Sequence, residues 1–125
     1  MRLWPLSLLS KLPRQQLLGQ HRECCALRGR GWGKKHSVVN YVFNHPYSWL
    51  YVYHCHVMNE MNRRGYQIEQ KWFNNTYRGK IIGFDKSNFT SNEDSSFDKQ
   101  TVYHEHNLKY LKECLKNLSL KGISL

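Results

Sequence analysis

Glu23 is the only acidic residue among the first 59 of this 125-residue chain. Eight basic side chains share that stretch with it: Arg2, Lys11, Arg14, Arg22, Arg28, Arg30, Lys34 and Lys35. Residues 60–125 carry eleven basic and eight acidic groups, so most of the formal charge of +10 lies in the first half. So one-sided a surface repels itself unless a polyanion neutralises it, and nucleic acid is the usual partner. A merely soluble basic protein is the plainer alternative. A lone carboxylate inside a cationic field weakens phosphate binding, so some benefit should offset it. It either pairs with a neighbouring arginine or does chemistry.

Several chemistries can be weighed against the residues. His54 and His56 are two apart on an expected helix, about 200° around its axis, and share one ion poorly. His104 and His106 flank Glu105 and could share one from an extended segment, but two ligands make a weak zinc signal. Arg22 and Glu23 could tune the thiols of Cys24 and Cys25. Their helical phase points those thiols inward, however, and Cys55 and Cys114 read as equally buried, so packing is expected of all four. A Mg²⁺-dependent nuclease needs clustered acids, which only the late Glu93, Asp94 and Asp98 supply. What remains is metal-free chemistry built from a carboxylate, cations and an amine. An amine can attack a sugar C1′, expel the base and form an imine, after which the 3′ phosphate is lost by elimination. An α-amino group suits the attack, with a reference pKa of about 7.7–8.0 that nearby arginines lower.

These residues need elements to position them. A first helix is expected from about Pro13 to Arg28, ended by Gly29, Gly31 and Gly33. Its buried stripe comprises Leu17, Leu18, His21, Cys24, Cys25 and Arg28. Glu23 projects from the opposite side near Gln16, Gly19 and Gln20. There Gly19, which costs about 1 kcal/mol relative to Ala in a helix, either leaves a notch beside the acid or permits close helix packing. Residues 29–36, GRGWGKKH, read as a basic glycine loop that meets phosphates or as a solvated connection.

Pro46 should open a second helix that runs to Arg64, closes at Gly65 and is apolar on most sides, hence central. Residues 66–105 lose the helical period, and 85–100 read as a long polar loop. A third helix follows from about Asn107, with Leu108, Leu111, Leu115 and Leu118 on one face. The expectation is a mainly α, single compact three-helix domain over residues 1–125, with a long irregular segment between helices 2 and 3. The opening MRLWPLSLLSKL is a weak mimic of a secretion signal, broken by Pro5 and Lys11. With no long apolar run and no C-x-x-C pair, a reduced, cytoplasmic chain with no membrane contact is expected.

LPRQQLLGQHREC (residues 12–24) resembles the first helix of the pyrimidine-dimer DNA glycosylases of the endonuclease V type. KKH (34–36) and EMNRRGYQI (60–68) continue the similarity, and a weaker one covers Tyr103 to Leu118. The run from MRLW to GKKH resembles a bacterial branch of that family. The resemblance implies a DNA repair glycosylase and AP lyase that acts on damaged duplex DNA as a monomer, without cofactor or metal. Carried over, Glu23 is the catalytic carboxylate, and Gln15 and Arg22 contact DNA. Arg2, Arg14, Lys34, Lys35 and His36 would join them on the nucleic acid. One departure stands out. The family exposes a small second residue by losing its first Met, whereas Arg2 should block that removal. The terminal amine would then belong to Met1, about 3.8 Å further along the chain. Either Met1 is the nucleophile, or Lys34 or Lys35 substitutes, or the chain is a non-catalytic nucleic-acid-binding protein of the same fold.

Overall fold

All three prolines of the chain stand immediately before a helix, where a missing N–H costs nothing. The computed structural model describes residues 2–29, 40–85 and 101–125. Pro5 precedes α1 (Leu6–Leu9), Pro13 precedes α2 (Arg14–Arg28) and Pro46 precedes α3 (Tyr47–Arg63). The last helix, α4 (Leu108–Leu120), starts instead at Asn107, whose side chain accepts a hydrogen bond from the Tyr110 backbone N–H at 2.9 Å. Single 3₁₀ turns occupy Asn40–Asn44 and Gln70–Phe73, and one antiparallel bridge joins Tyr77 to Phe84. The mainly α expectation holds. Four helices replace the expected three, because the apolar LSLL after Pro5 coils into one turn and buries Leu8 and Leu9.

The α3 helix is central, as its all-round apolarity predicts. It packs against α1, α2 and the Asn40–Asn44 turn, and it buries Trp49, Leu50, Tyr53, Val57, Met58 and Met61. Its end is built as expected. Gly65 takes φ +82°, and the Tyr66 N–H reaches back to the Met61 carbonyl at 2.9 Å. Glu60 binds both Arg63 and Arg64, and Arg64 also donates to the Leu9 carbonyl at 3.1 Å, fixing α1 to the end of α3. The face expected of α4 needs correction. Leu118 is buried and Leu111 packs against the core as expected, but Leu108 and Leu115 point outward and Cys114 is buried in their place. Its phase is set by Tyr110 and Cys114, which face the N-terminal segment.

Two buried polar anchors hold the remainder. Leu3, Trp4 and Pro5 are buried in an extended run, which obliges their backbone groups to find partners. Side chains from three helices supply them: Gln20 of α2, Tyr53 of α3 and Tyr110 of α4. The second anchor is Arg28, fully buried at the end of α2. Its guanidinium donates to the carbonyls of Trp72, Asn74 and Tyr77 at 2.8–2.9 Å, to the Tyr47 hydroxyl and to His54 Nδ1. No carboxylate takes part in that set; the charge is met by oriented dipoles and by the Tyr51 and Trp72 rings. Arg28 belongs to the buried stripe expected of α2, and it is fully buried. Residues 72–78 thus close onto α2 and α3 through this side chain, joined by Tyr51, which donates to the Phe73 carbonyl, and by Arg78, which donates to the Arg28 carbonyl.

Two expectations follow. Arg28→Met keeps the length but deletes every donor, leaving several buried acceptors unpaired, and should cost about 3 kcal/mol or more. A urea midpoint within error of the parent would show that the carbonyls find other partners. The second concerns acid. Burial lowers the pKa of His106 from 6.5 to about 4 and holds that of His54 well below its usual value, so both are neutral in the fold. The unfolded chain takes up these protons first. The stability they contribute is therefore complete above about pH 6.5 and is lost as the pH falls. For His106 the loss amounts to about 3 kcal/mol by pH 4. The melting temperature should drop between about pH 7 and 4.5, and His106→Gln should flatten that drop.

Candidate active site

The α2 helix turns two faces to two tasks. Leu17, Cys24, Leu27 and Arg28 are buried, while Gln15 and Arg22 are exposed and Glu23 is half-buried. Gln16, Gly19, Gln20 and Glu23 line a half-open cleft of about 270 Å³, closed on its other sides by Arg2, Trp4, Asn117 and Lys121. The notch expected beside Gly19 is therefore present. The alternative of close helix packing fails, because a Cβ on Gly19 would meet only the Arg22 guanidinium, at 3.8 Å.

Gln20 organises the cleft. Its side chain is 1% exposed and every polar atom on it is used. The Oε1 atom accepts from the Trp4 N–H at 2.6 Å and lies 2.8 Å from the Tyr53 hydroxyl. The Nε2 amide donates at 3.1 Å to the Arg2 carbonyl and at 3.1 Å to Glu23 Oε2. One amide thus joins the backbone of residue 2 to the carboxylate. Burial raises the pKa of Glu23. The positive charges of the amino terminus, Lys121 and Arg22, together with the Gln20 hydrogen bond, oppose that rise. Such a carboxyl holds a proton more readily than a solvated one while remaining attractive to a cation, which suits a group that must do both in turn.

The other expected residues are distributed unevenly. Arg2 lines the cleft, with its guanidinium 5.9 Å from the centroids of Trp4 and Tyr110 and a donor 3.6 Å from Cys114 Sγ. Gln15 and Arg22 lie on the exposed stripe beside Glu23. Arg14 sits half a helix turn away from Glu23, over the Tyr66 ring at 5.0 Å, and is not brought to the cleft. Met1, Lys34, Lys35 and His36 lie outside the described residues, as do the basic glycine loop from Arg30 and all but Asp85 of the 85–100 loop. Reasoning from sequence missed Trp4, Asn117 and Lys121. Local pattern carries no sign of the last two, since α4 meets α2 across some 95 residues of chain. The buried Oδ1 of Asn117 has no hydrogen-bond partner among the described residues, which leaves an acceptor at the cleft wall.

The histidines and cysteines arrange themselves differently from the pairs considered in sequence. His21, Cys25 and His54 present ligand atoms within 4.8 Å of one another across α2 and α3. Arginine can only donate, so the contact from Arg28 at 2.9 Å makes His54 Nδ1 an acceptor and leaves the proton on Nε2. That proton faces His21 Nδ1 at 2.8 Å. A metal would need the lone pair that this tautomer lacks, beside a guanidinium that repels it. A neutral hydrogen-bonded histidine pair explains the cluster better. Burial pushes the Cys25 thiol up to about 12, so it is no nucleophile at neutral pH. Cys25 and Cys55 are half-buried rather than fully buried, and all four cysteines are free. His104 and His106 do not converge on Glu105, which binds His45 at 2.9 Å, while His106 Nε2 bonds the Tyr41 hydroxyl.

A family model described as pyrimidine dimer DNA glycosylase matches residues 1–74. That span holds the N-terminal segment, α1 to α3 and every cleft residue except Asn117 and Lys121. The chain belongs to the pyrimidine dimer DNA glycosylase family. That family is one of DNA repair glycosylases, which act on DNA. No curated protein and no solved structure matches the chain. Among the described residues, no helix is long and apolar enough to cross a membrane.

Gly19→Ala separates stability from function. The added methyl fits sterically and improves helix propensity, so the variant should gain up to about 1 kcal/mol. The same methyl narrows the cleft beside Glu23, and cleavage of damaged DNA should fall about tenfold or more through mispositioning. Melting and cleavage assays on one preparation read both; equal activity would remove the notch from the site.

Proposed function

We propose that the chain is a combined glycosylase and AP lyase for damaged duplex DNA, with pyrimidine dimers the lesion that its family points to. An amine attacks the sugar C1′, and the bond from C1′ to the base breaks, the base leaving with the electron pair and gaining a proton. The sugar ring then opens, the C1′–O4′ bond breaking with its electrons on O4′, which gains a proton, and the nitrogen forms an imine to C1′ that acidifies C2′. Loss of a C2′ proton then expels the 3′ phosphate with its electrons and cuts the strand. Glu23 stabilises the cationic intermediate and carries the proton. The Met1 amine is the first choice of nucleophile, with Lys34 or Lys35 as substitutes. Arg2, Arg22 and Lys121 supply positive charge for phosphates at the cleft, and Gln15, Arg14, Lys34, Lys35 and His36 extend the contact with DNA.

One observation carries this reading. The Gln20 amide spans from the carbonyl of Arg2 to the carboxylate of Glu23. The residue that follows the terminal amine is thereby tied to the acid that the chemistry requires. The departure at position 2 favours a second reading, a DNA-binding protein that keeps the cationic face without the chemistry, because Arg2 should retain Met1 and displace the amine.

Borohydride trapping on duplex DNA with an abasic site decides between them. A covalent adduct is expected, and peptide mapping should place it on the N-terminal peptide. Glu23→Gln should reduce strand cleavage about a hundredfold or more while DNA affinity is kept or rises. Tight binding with no adduct would support the second reading. An equal loss of binding and cleavage would make Glu23 structural.

A further inference from the structure

Residues 78–84 form a tight turn whose tip is apolar. Ile81 is fully exposed, Phe84 is 57% exposed, and Lys80 stands beside Ile81 in solvent. Glycine, Asn, Asp and Ser usually occupy such tips. The backbone is nonetheless well tied. Arg78 N–H donates to the Gly83 carbonyl at 2.8 Å, Gly83 N–H to the Gly79 carbonyl at 2.7 Å, and Asp85 N–H to the Thr76 carbonyl at 2.8 Å. Gly79 (φ +101°) and Gly83 (φ +71°) supply the two left-handed positions. The base is fastened to the end of α2 from both sides. Arg28 donates to the Tyr77 carbonyl, and Arg78 Nε donates to the Arg28 carbonyl at 2.7 Å.

The position of the turn matters as much as its stiffness. Cys25, Ala26 and Gly29 of the α2 end face Arg78 and residues 79–82 across a mainly apolar recess of about 500 Å³. Ala26 follows Glu23 by three residues, on the same side of α2 and about 4.5 Å along its axis. That step is little more than one base-pair rise of about 3.4 Å. Exposed Arg22 lies on the same stripe. Proteins that kink a duplex insert apolar side chains between base steps, and here one is presented by a well-tied turn next to the helix that carries Arg22 and Glu23.

We infer that Ile81 is a wedge that enters the duplex between base pairs at the lesion, with Lys80 on the adjoining phosphates. The inference rests on DNA being the substrate, and it does not require the amine chemistry. Unstacking costs a few kcal/mol and less at damage, so a wedge also favours damaged sites over intact ones.

The test uses the full chain and a duplex carrying 2-aminopurine beside a stable abasic-site analogue. Binding of the parent should raise the 2-aminopurine fluorescence. Ile81→Ala should abolish that rise and weaken binding to the damaged duplex about tenfold, with affinity for intact DNA and the melting temperature unchanged. Ile81→Lys separates a wedge from a surface that merely lies on phosphates. A wedge loses unstacking with lysine, whereas a phosphate contact gains affinity. Parent-like fluorescence in both variants overturns the inference. The borohydride adduct, scored on the same proteins, is independent: its absence from a parent that still unstacks bases refutes the lyase reading and leaves the wedge standing.

Discussion

The structure depends on burying an extended N-terminal segment in the middle of a helical core. Buried backbone without a ladder of its own is costly unless side chains provide the missing partners. Three of them do so, one from each long helix: Gln20, Tyr53 and Tyr110. Their convergence fixes where α2, α3 and α4 must meet. It also sets the cleft, because the amide that satisfies the segment is the amide that holds Glu23. Fold and site therefore share one hydrogen-bond network, and a change at Gln20 would disturb both.

Arg28 plays the corresponding part at the other end of α2. A buried guanidinium with no carboxylate partner among the described residues is tolerated because three carbonyls, a hydroxyl and an imidazole meet its donors. Two consequences follow from the same contact set. Residues 72–77 acquire a fixed position against α2, and the tautomer of His54 is determined. What the composition suggests as metal-binding potential becomes a neutral histidine pair once one arginine is placed beside it.

The long elements were legible because their signals are local. Pro13 and Gly29 bracket α2, Pro46 and Gly65 bracket α3, and the period of α2 put Gln16, Gly19, Gln20 and Glu23 on one side. The isolation of Glu23 among cations was readable from charge alone. Other features were not. The single turn of α1 is too short for a period to show. Leu108 and Leu115 match a helical stripe, yet solvent receives them, because the contact of α4 with Arg2 and Leu3 rotates the helix toward Tyr110 and Cys114. Lys121 and Asn117 reach the cleft only through tertiary packing, and the His21–His54 pair joins two helices 33 residues apart.

The fate of the charge gives the site its direction. Among the described residues, Glu60 is committed to Arg63 and Arg64, and Glu105 to His45. These acids neutralise groups away from the cleft. Around the cleft the balance is different: Glu23 faces Arg2, Arg22 and Lys121, and its own burial works against its charge. A cleft of this kind attracts an anion strongly, and burial makes its acid Glu23 easier to protonate than a solvated carboxyl. A phosphate entering it would offset the cations and push Glu23 further toward its protonated form, whereas a cation formed on the bound sugar would pull it back toward carboxylate. Substrate and intermediate thus bias the same group in opposite senses, which is what a residue that must give and take a proton within one reaction requires.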